Sequence, residues 1–165
     1  FFDKRKLLIM LISIVAILST AFYFIPSDNI TLMFVLQIMI GLALGPKSPL
    51  VFSMYADTAD FSQWQTGRRA TAMIFSAAAF AQKLGGALAG ATIGWLLASL
   101  GYVANQTQTG ASEQGIVLLL TIIPAVFAAL AVPLIMLYPL DDKTLEHIQK
   151  ELAQISANST DGLTG

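Results

Sequence analysis

The sequence predicts an all-α membrane protein with four transmembrane helices, and three observations carry that prediction. Of its 165 residues, 56% are hydrophobic and only 12% charged, against about 25% charged in soluble domains. The apolar residues gather in four runs, at about 7–25, 31–55, 70–100 and 116–138, each long enough to cross ~30 Å of hydrocarbon at ~1.5 Å per residue. The basic residues are sorted to one side of these runs. Lys4, Arg5, Lys6, Arg68, Arg69, Lys143 and Lys150 fall on the side that carries both termini and the second connection, while the two opposite connections hold no Lys or Arg. By the positive-inside rule that side is the cytoplasm.

Composition also excludes several function classes. A net charge of −1 gives no global field to recruit nucleic acid, and the Lys4-Arg5-Lys6 run is what membrane topology already requires. The absence of cysteine rules out disulfides, thiolate metal sites and a cysteine nucleophile. No small-residue cleavage site follows the first apolar run, which argues against a signal peptide. The chain opens on Phe1 with DKRKLL, already at the threshold of a span, and this predicts a piece of a longer protein.

The first span, Leu7 to Ile25, carries no charge and ends on the aromatic residues Phe22, Tyr23 and Phe24, as an interfacial belt does. Pro26-Ser27-Asp28-Asn29 is the polar turn that stops it. The second span, Thr31 to Tyr55, has Gly41 and Gly45 on one face, and Pro46 and Pro49 then predict a kink where backbone donors are missing. Residues 56–69 read as a polar connection. The third span, Ala70 to Leu100, repeats glycine at positions 86, 90 and 94, a stripe suited to close helix packing. A polar loop leads to the fourth span, Ile116 to Tyr138, which Pro124 and Pro133 bend. Residues 139–165 read as a cytoplasmic amphipathic helix followed by a loose tail from Ser156. Asp141 or Asp142 caps that helix, Leu145, Ile148, Leu152 and Ile155 form its apolar stripe, and Glu146 and Lys150 are spaced to pair.

The chemistry gathers between Ala56 and Gly94. Lys83 is the fourteenth residue of the third span, and a lysine at mid-membrane costs about 2.5–3.5 kcal/mol unless it faces a partner or a wet cavity. No carboxylate lies inside any of the four spans at that depth. Lys83 therefore reads either as a cavity-lining cation or as one half of a structural ion pair whose other half lies on helices outside this chain. Lys47 either lines a cavity or snorkels to the headgroups. Asp57 and Asp60 are three apart, with Arg68 and Arg69 waiting at the start of the next helix, so both carboxylates can meet both guanidiniums. That set is either a group of solvated surface pairs, each contributing below ~1 kcal/mol, or a latch that closes one side of a path through the membrane.

Four landmarks in order carry a family resemblance: ADTADFSQWQTGRRAT, then Lys83-Leu84-Gly85-Gly86, then GYVANQTQT, then YPLDDKTLEHI. Together they resemble the C-terminal part of the glycoside-pentoside-hexuronide:cation symporters, the melibiose permease-like branch of the major facilitator superfamily. The resemblance covers nearly the whole chain. It implies a twelve-helix transporter of the bacterial inner membrane, of which these would be the last four helices. It further implies a sugar or glycoside as substrate, Na⁺ or H⁺ as coupling ion, and no cofactor. By the same resemblance Asp57, Asp60 and Arg69 match charged residues of a cytoplasmic loop, and Lys83 matches a lysine lining the central cavity. The family's Tyr-Gly-Glu-Trp/Tyr-Lys after the aspartates is here Phe61-Ser62-Gln63-Trp64-Gln65, so two of its charges are missing.

Two other classes compete. Asp57-x-x-Asp60 can hold Mg²⁺ against a diphosphate in an intramembrane prenyl transferase, but Asp141-Asp142 is the only second acidic cluster and its spacing does not match. An accessory four-helix membrane protein is the other. His147, the only histidine, reads as a solvated residue of the tail helix.

Overall fold

The computed structural model describes residues 3–26 and 28–161. Seven helices follow one another, and among the described residues there is no strand: α1 (Lys4–Tyr23), α2 (Ile30–Leu44), α3 (Lys47–Thr66), α4 (Thr71–Ser99), α5 (Gly110–Leu120), α6 (Ile122–Met136) and α7 (Asp142–Asp161). Local capping chemistry sets several starts. Asp3 accepts the Arg5 N–H at 2.9 Å, Asn29 accepts the Leu32 N–H at 3.2 Å, and Thr109 accepts the Ser112 N–H at 3.3 Å. Four units are long and apolar enough to cross a membrane: Lys4–Tyr23, Ile30–Thr66, Thr71–Ser99 and Gly110–Met136.

Two of these units are broken but not interrupted. At Gly45-Pro46 the proline removes one backbone donor, yet both residues keep right-handed helical dihedrals. Gly45 N–H still bonds Gly41 O at 3.0 Å and Leu50 N–H bonds Pro46 O at 3.3 Å, so α2 runs almost directly into α3. Between α5 and α6, Thr121 departs to φ −118°, ψ −72° ahead of Pro124. Its hydroxyl donates to Val117 O at 2.6 Å, beside its own N–H, which donates to the same carbonyl at 3.0 Å.

The spans differ from the sequence reading at their ends. α3 does not stop at Tyr55: residues 56–66, expected as loop, are helical, and the connection shrinks to a few residues after Gly67. Gly67 ends the helix in the left-handed region at φ +69° and returns its N–H to Gln63 O at 2.9 Å, a conformation glycine adopts without a Cβ penalty. The fourth unit begins at Gly110, six residues before Ile116, because Thr109 caps it. α7 runs to Asp161, through residues 156–161 that read as loose tail, and residues 162–165 of that expected tail lie outside the described residues.

α1 is the central helix, packed along α6 and α2 and touching α3 and α5. α4 stands apart and buries none of its residues. It meets α3 near one end through stacked Phe52 and Phe75, with centroids 6.2 Å apart, and through Tyr55 edge-on to Phe75 at 5.7 Å. Just beyond its other end, Leu100 O accepts from the Ser112 hydroxyl at 2.7 Å, and a side chain on Gly115 would collide with Leu100.

α7 folds back against α3. Leu140, Leu145 and Ile148 are buried together, with Phe61, Tyr138 and Leu152 packed on them, while Ile155, fourth in the expected stripe, is exposed. Lys150 and Glu146 pair at 2.6 Å on the outer face. Asp141 is the cap: its carboxylate accepts the Thr144 N–H at 2.9 Å. Hydrogen bonding by the Thr144 side chain, then by its backbone N–H, holds the Asp141 carboxyl below its usual range. Because the folded value is depressed, the cap contributes at pH above the ~3.9 of a free aspartate and is lost as pH falls through the lower folded value. The Thr144 amide resonance, followed by NMR, is expected to titrate with a midpoint below ~3.9. A midpoint at or above that value would contradict the capping assignment.

Candidate functional site

The charged residues converge at one end of the spans. The first turn of α1, the last turns of α3, the start of α4 and the length of α7 all lie there. Lys4 Nζ donates to both carboxylate oxygens of Asp57, at 2.9 and 2.7 Å, and Asp57 is only 4% exposed. Arg69 reaches Asp60 at 2.8 Å. Arg5 donates from Nη1 to Tyr138 O at 3.0 Å, and Tyr138 in turn donates its hydroxyl to Met54 O at 3.3 Å. Trp64 Nε1 donates to Glu151, whose other oxygen lies 3.2 Å from His147 Nε2. Side-chain bonds thus tie α1, α3, α7 and the connection that leads into α4 into one layer.

The structure brings Asp60 and Arg69 together as the spacing anticipates, but it gives Asp57 to Lys4 and not to Arg68. The reason is the length of α3. Asp57 sits nine residues before Thr66, so ~14 Å of helix separates it from the connection that carries Arg68. Asp60 lies one turn closer, within reach of a long arginine. Among the described residues Arg68 makes no side-chain ion pair, and its backbone carbonyl accepts from Thr66 Oγ1 at 3.3 Å. Spacing alone missed Lys4, which is 53 residues from its partner, and it missed the Trp64–Glu151 contact. With both acids engaged by cations, the pair that a magnesium reading needs is already neutralised. Among the described residues no group of three or more His, Cys, Asp or Glu could hold a metal ion.

Lys83 is in a different setting. It lies twelve residues beyond Thr71, ~18 Å along the axis from the charged end. It is exposed, and among the described residues it has no ion pair. Gly86, Gly90 and Gly94 follow at i+3, i+7 and i+11, on the same face, and a Cβ on any of them would meet nothing within 4 Å. The face that carries the mid-span lysine is therefore open along its length. Lys47, also exposed, stands at the α2–α3 break.

A bundle of long apolar helices with its charge gathered in one end layer defines a multi-pass helical membrane protein. The family described as MFS/sugar transport protein matches residues 2–142, and the chain belongs to that family, within the glycoside-pentoside-hexuronide:cation symporter branch that its landmarks resemble. It is 35% identical over 144 residues to the inner membrane symporter YicJ of Escherichia coli (strain K12), a match covering 86% of this chain and 31% of that protein. To the putative glycoside/cation symporter YagG of the same organism it is 30% identical over 152 residues, covering 92% and 33%. To a putative sulfoquinovose importer, again of that organism, it is 33% identical over 134 residues, covering 80% and 28%. The chain spans about a third of the length of these relatives. No solved structure matches it.

The Lys4–Asp57 pair is the tie most open to test. Lys4→Ala and Asp57→Ala are each expected to destabilise the full-length protein by about 1–3 kcal/mol, the buried acid costing more than the half-exposed lysine. The double variant should be less destabilised than the sum by about 1 kcal/mol, measured by thermal unfolding in detergent. Strict additivity would contradict the pairing. Arg68→Ala should show no coupling to Asp57→Ala.

Proposed function

We propose that this chain is part of a secondary active transporter that moves a sugar or glycoside together with Na⁺ or H⁺ by alternating access. Its four spans would correspond to the last four of twelve. The proportion fits relatives of which the chain covers about a third. The charged layer, with its Lys and Arg bias, would face the cytoplasm of a bacterial inner membrane.

The observation that carries the reading is Lys83: a cation ~18 Å inside the spans, on a helix that buries none of its residues, along a face left open by three glycines. In hydrocarbon such a charge is costly, so it points to a wet cavity or a partner across it. There its ammonium would donate hydrogen bonds to sugar hydroxyls or balance the carboxylates that hold the coupling ion. Substrate and ion binding would then bias two arrangements of the helical halves around a midplane site. The Asp60–Arg69 and Lys4–Asp57 pairs would serve as the latch of the cytoplasmic side, forming when the path closes there and parting when it opens. The names of the relatives, two of them symporters and one a sulfoquinovose importer, support a sugar-like cargo and an ion-coupled mechanism.

Lys83→Ala in the full-length transporter is expected to abolish ion-coupled sugar accumulation while leaving its amount in the membrane unchanged. Accumulation of labelled sugar at the parental level would sink the assignment.

A further inference from the structure

The last turns of α3 and the length of α7 form a unit of their own at the charged end. Past Tyr55, α3 continues as a helix through Asp57, Thr58, Asp60 and Thr66, residue types that rank low as helix formers. Thr58 and Thr66 turn their hydroxyls back onto the carbonyls of Met54 and Ser62, at 2.8 and 2.7 Å. A helical extension of this composition draws its stability from what packs on it. α7 packs on it: Leu145 and Ile148 are buried beside Phe61, with Leu152 alongside, and Glu151 accepts from Trp64 Nε1.

α7 also closes in the Asp60–Arg69 pair. A space of about 340 Å³ between α3, α7 and the connection into α4 is lined by Asp60 and Gln63, by Gln149 and Leu152, and by Arg69. Asp60 directly precedes Phe61, so the contact that docks α7 also fixes the turn of α3 that aims this carboxylate at Arg69, 2.8 Å away. The Asp60 side chain is 18% exposed, against 56% for the arginine. With α7 as one wall the pair lies in less water than a surface pair does, and parting it strands the acid. Lifting α7 lets water in and frees the turn.

At its start α7 hangs from a fixed point. Arg5 holds the Tyr138 carbonyl at 3.0 Å, and the Tyr138 hydroxyl donates to Met54 O at 3.3 Å. Pro139 follows, and the chain is not helical again until Asp142. This short irregular segment is the place for a hinge, beyond which α7 swings while Tyr138 stays where it is.

We propose that α7 is a strap: docked on α3 it holds the Asp60–Arg69 latch shut, and its release sets how readily the cytoplasmic side opens. The proposal rests on the transport reading above and adds the regulation of its latch. The coupling is reciprocal, so a parted latch loosens α7 by the same factor that a docked α7 tightens the latch. A contact made of a few buried side chains and one hydrogen bond is weak enough to open locally while the spans stay folded.

The test uses the full-length transporter on a background without other cysteines. In inside-out vesicles a thiol at Gln63→Cys reports on α7, because Gln149 and Leu152 wall the same space. Trp64→Phe and Glu151→Ala are each expected to raise its rate of reaction with an impermeant maleimide about threefold, and the double variant no further. Glu151→Gln, which keeps an acceptor for Trp64, should stay at the parental rate. Unchanged rates in both single variants would overturn the strap. A second arm holds α7 in place by bridging Gln63→Cys and Gln149→Cys with a short bis-maleimide. The bridge is expected to slow uptake of labelled methyl β-glucoside about tenfold relative to the same protein capped with a mono-maleimide. Equal uptake by bridged and capped protein would also overturn the strap, leaving α7 a fixed brace, and failure of the two thiols to bridge would overturn its docked position. Absence of uptake by the parental protein would count against the transport reading, with the strap decided by the thiol rates alone.

Discussion

A charge taken out of water must find an opposite charge or donors enough to replace the water it lost, and the pairing of Lys4 with Asp57 is where this chain meets that demand most fully. Asp57 is 4% exposed and both of its oxygens are held by one ammonium from the start of the chain. Much follows from that contact. It ties the start of α1 to the last turns of α3, at the end where the short turn between α1 and α2 already brings them together. It leaves Asp60 free for Arg69 across the short connection to α4. The same turns of α3 present Phe61 to Leu145 and Ile148, so the amphipathic α7 docks where the charges have already gathered.

The contrast with α4 gives the fold its functional sense. α1 packs along α6 and α2, whereas α4 touches α3 near one end and α5 near the other and buries nothing between. Bilayer lipid can cover an apolar helix at no cost, but it cannot cover Lys83, and a row of glycines beside a lysine has no use against lipid tails. The bonded end layer and the open helix that carries Lys83 are thus two differently packed parts of the described chain. On the proposed function, one would hold the spans in register and the other would present its face to the remainder of the transporter.

The spans were legible because hydropathy over ~20 residues is a strong signal, and the side on which the charges lie was legible from the placement of Lys and Arg. The end of the second span was not. Hydropathy falls at Ala56, but a helix needs helix-compatible residues rather than apolar ones, and the DTADFSQWQ stretch supplies them until Gly67 turns left-handed. The stop signal stood in the sequence and was overshadowed by the drop in hydropathy. Thr109 is likewise a cap by residue type, but hydropathy marks the fourth span only from Ile116. Asp60 with Arg69 could be read from local spacing. The partner of Asp57 could not, because a contact across 53 residues leaves no trace in spacing.

The central claim is that the Lys83 face of α4 lines a water-filled, substrate-bearing path. The most direct measurement is alkylation of a single Lys83→Cys in the full-length transporter on a background without other cysteines; the 165 residues described above contain none. Reaction with a water-borne, membrane-impermeant thiol reagent, slowed by the transported sugar, is the expected result. A thiol that reacts only with a lipid-soluble reagent, at a rate the sugar does not change, would contradict it.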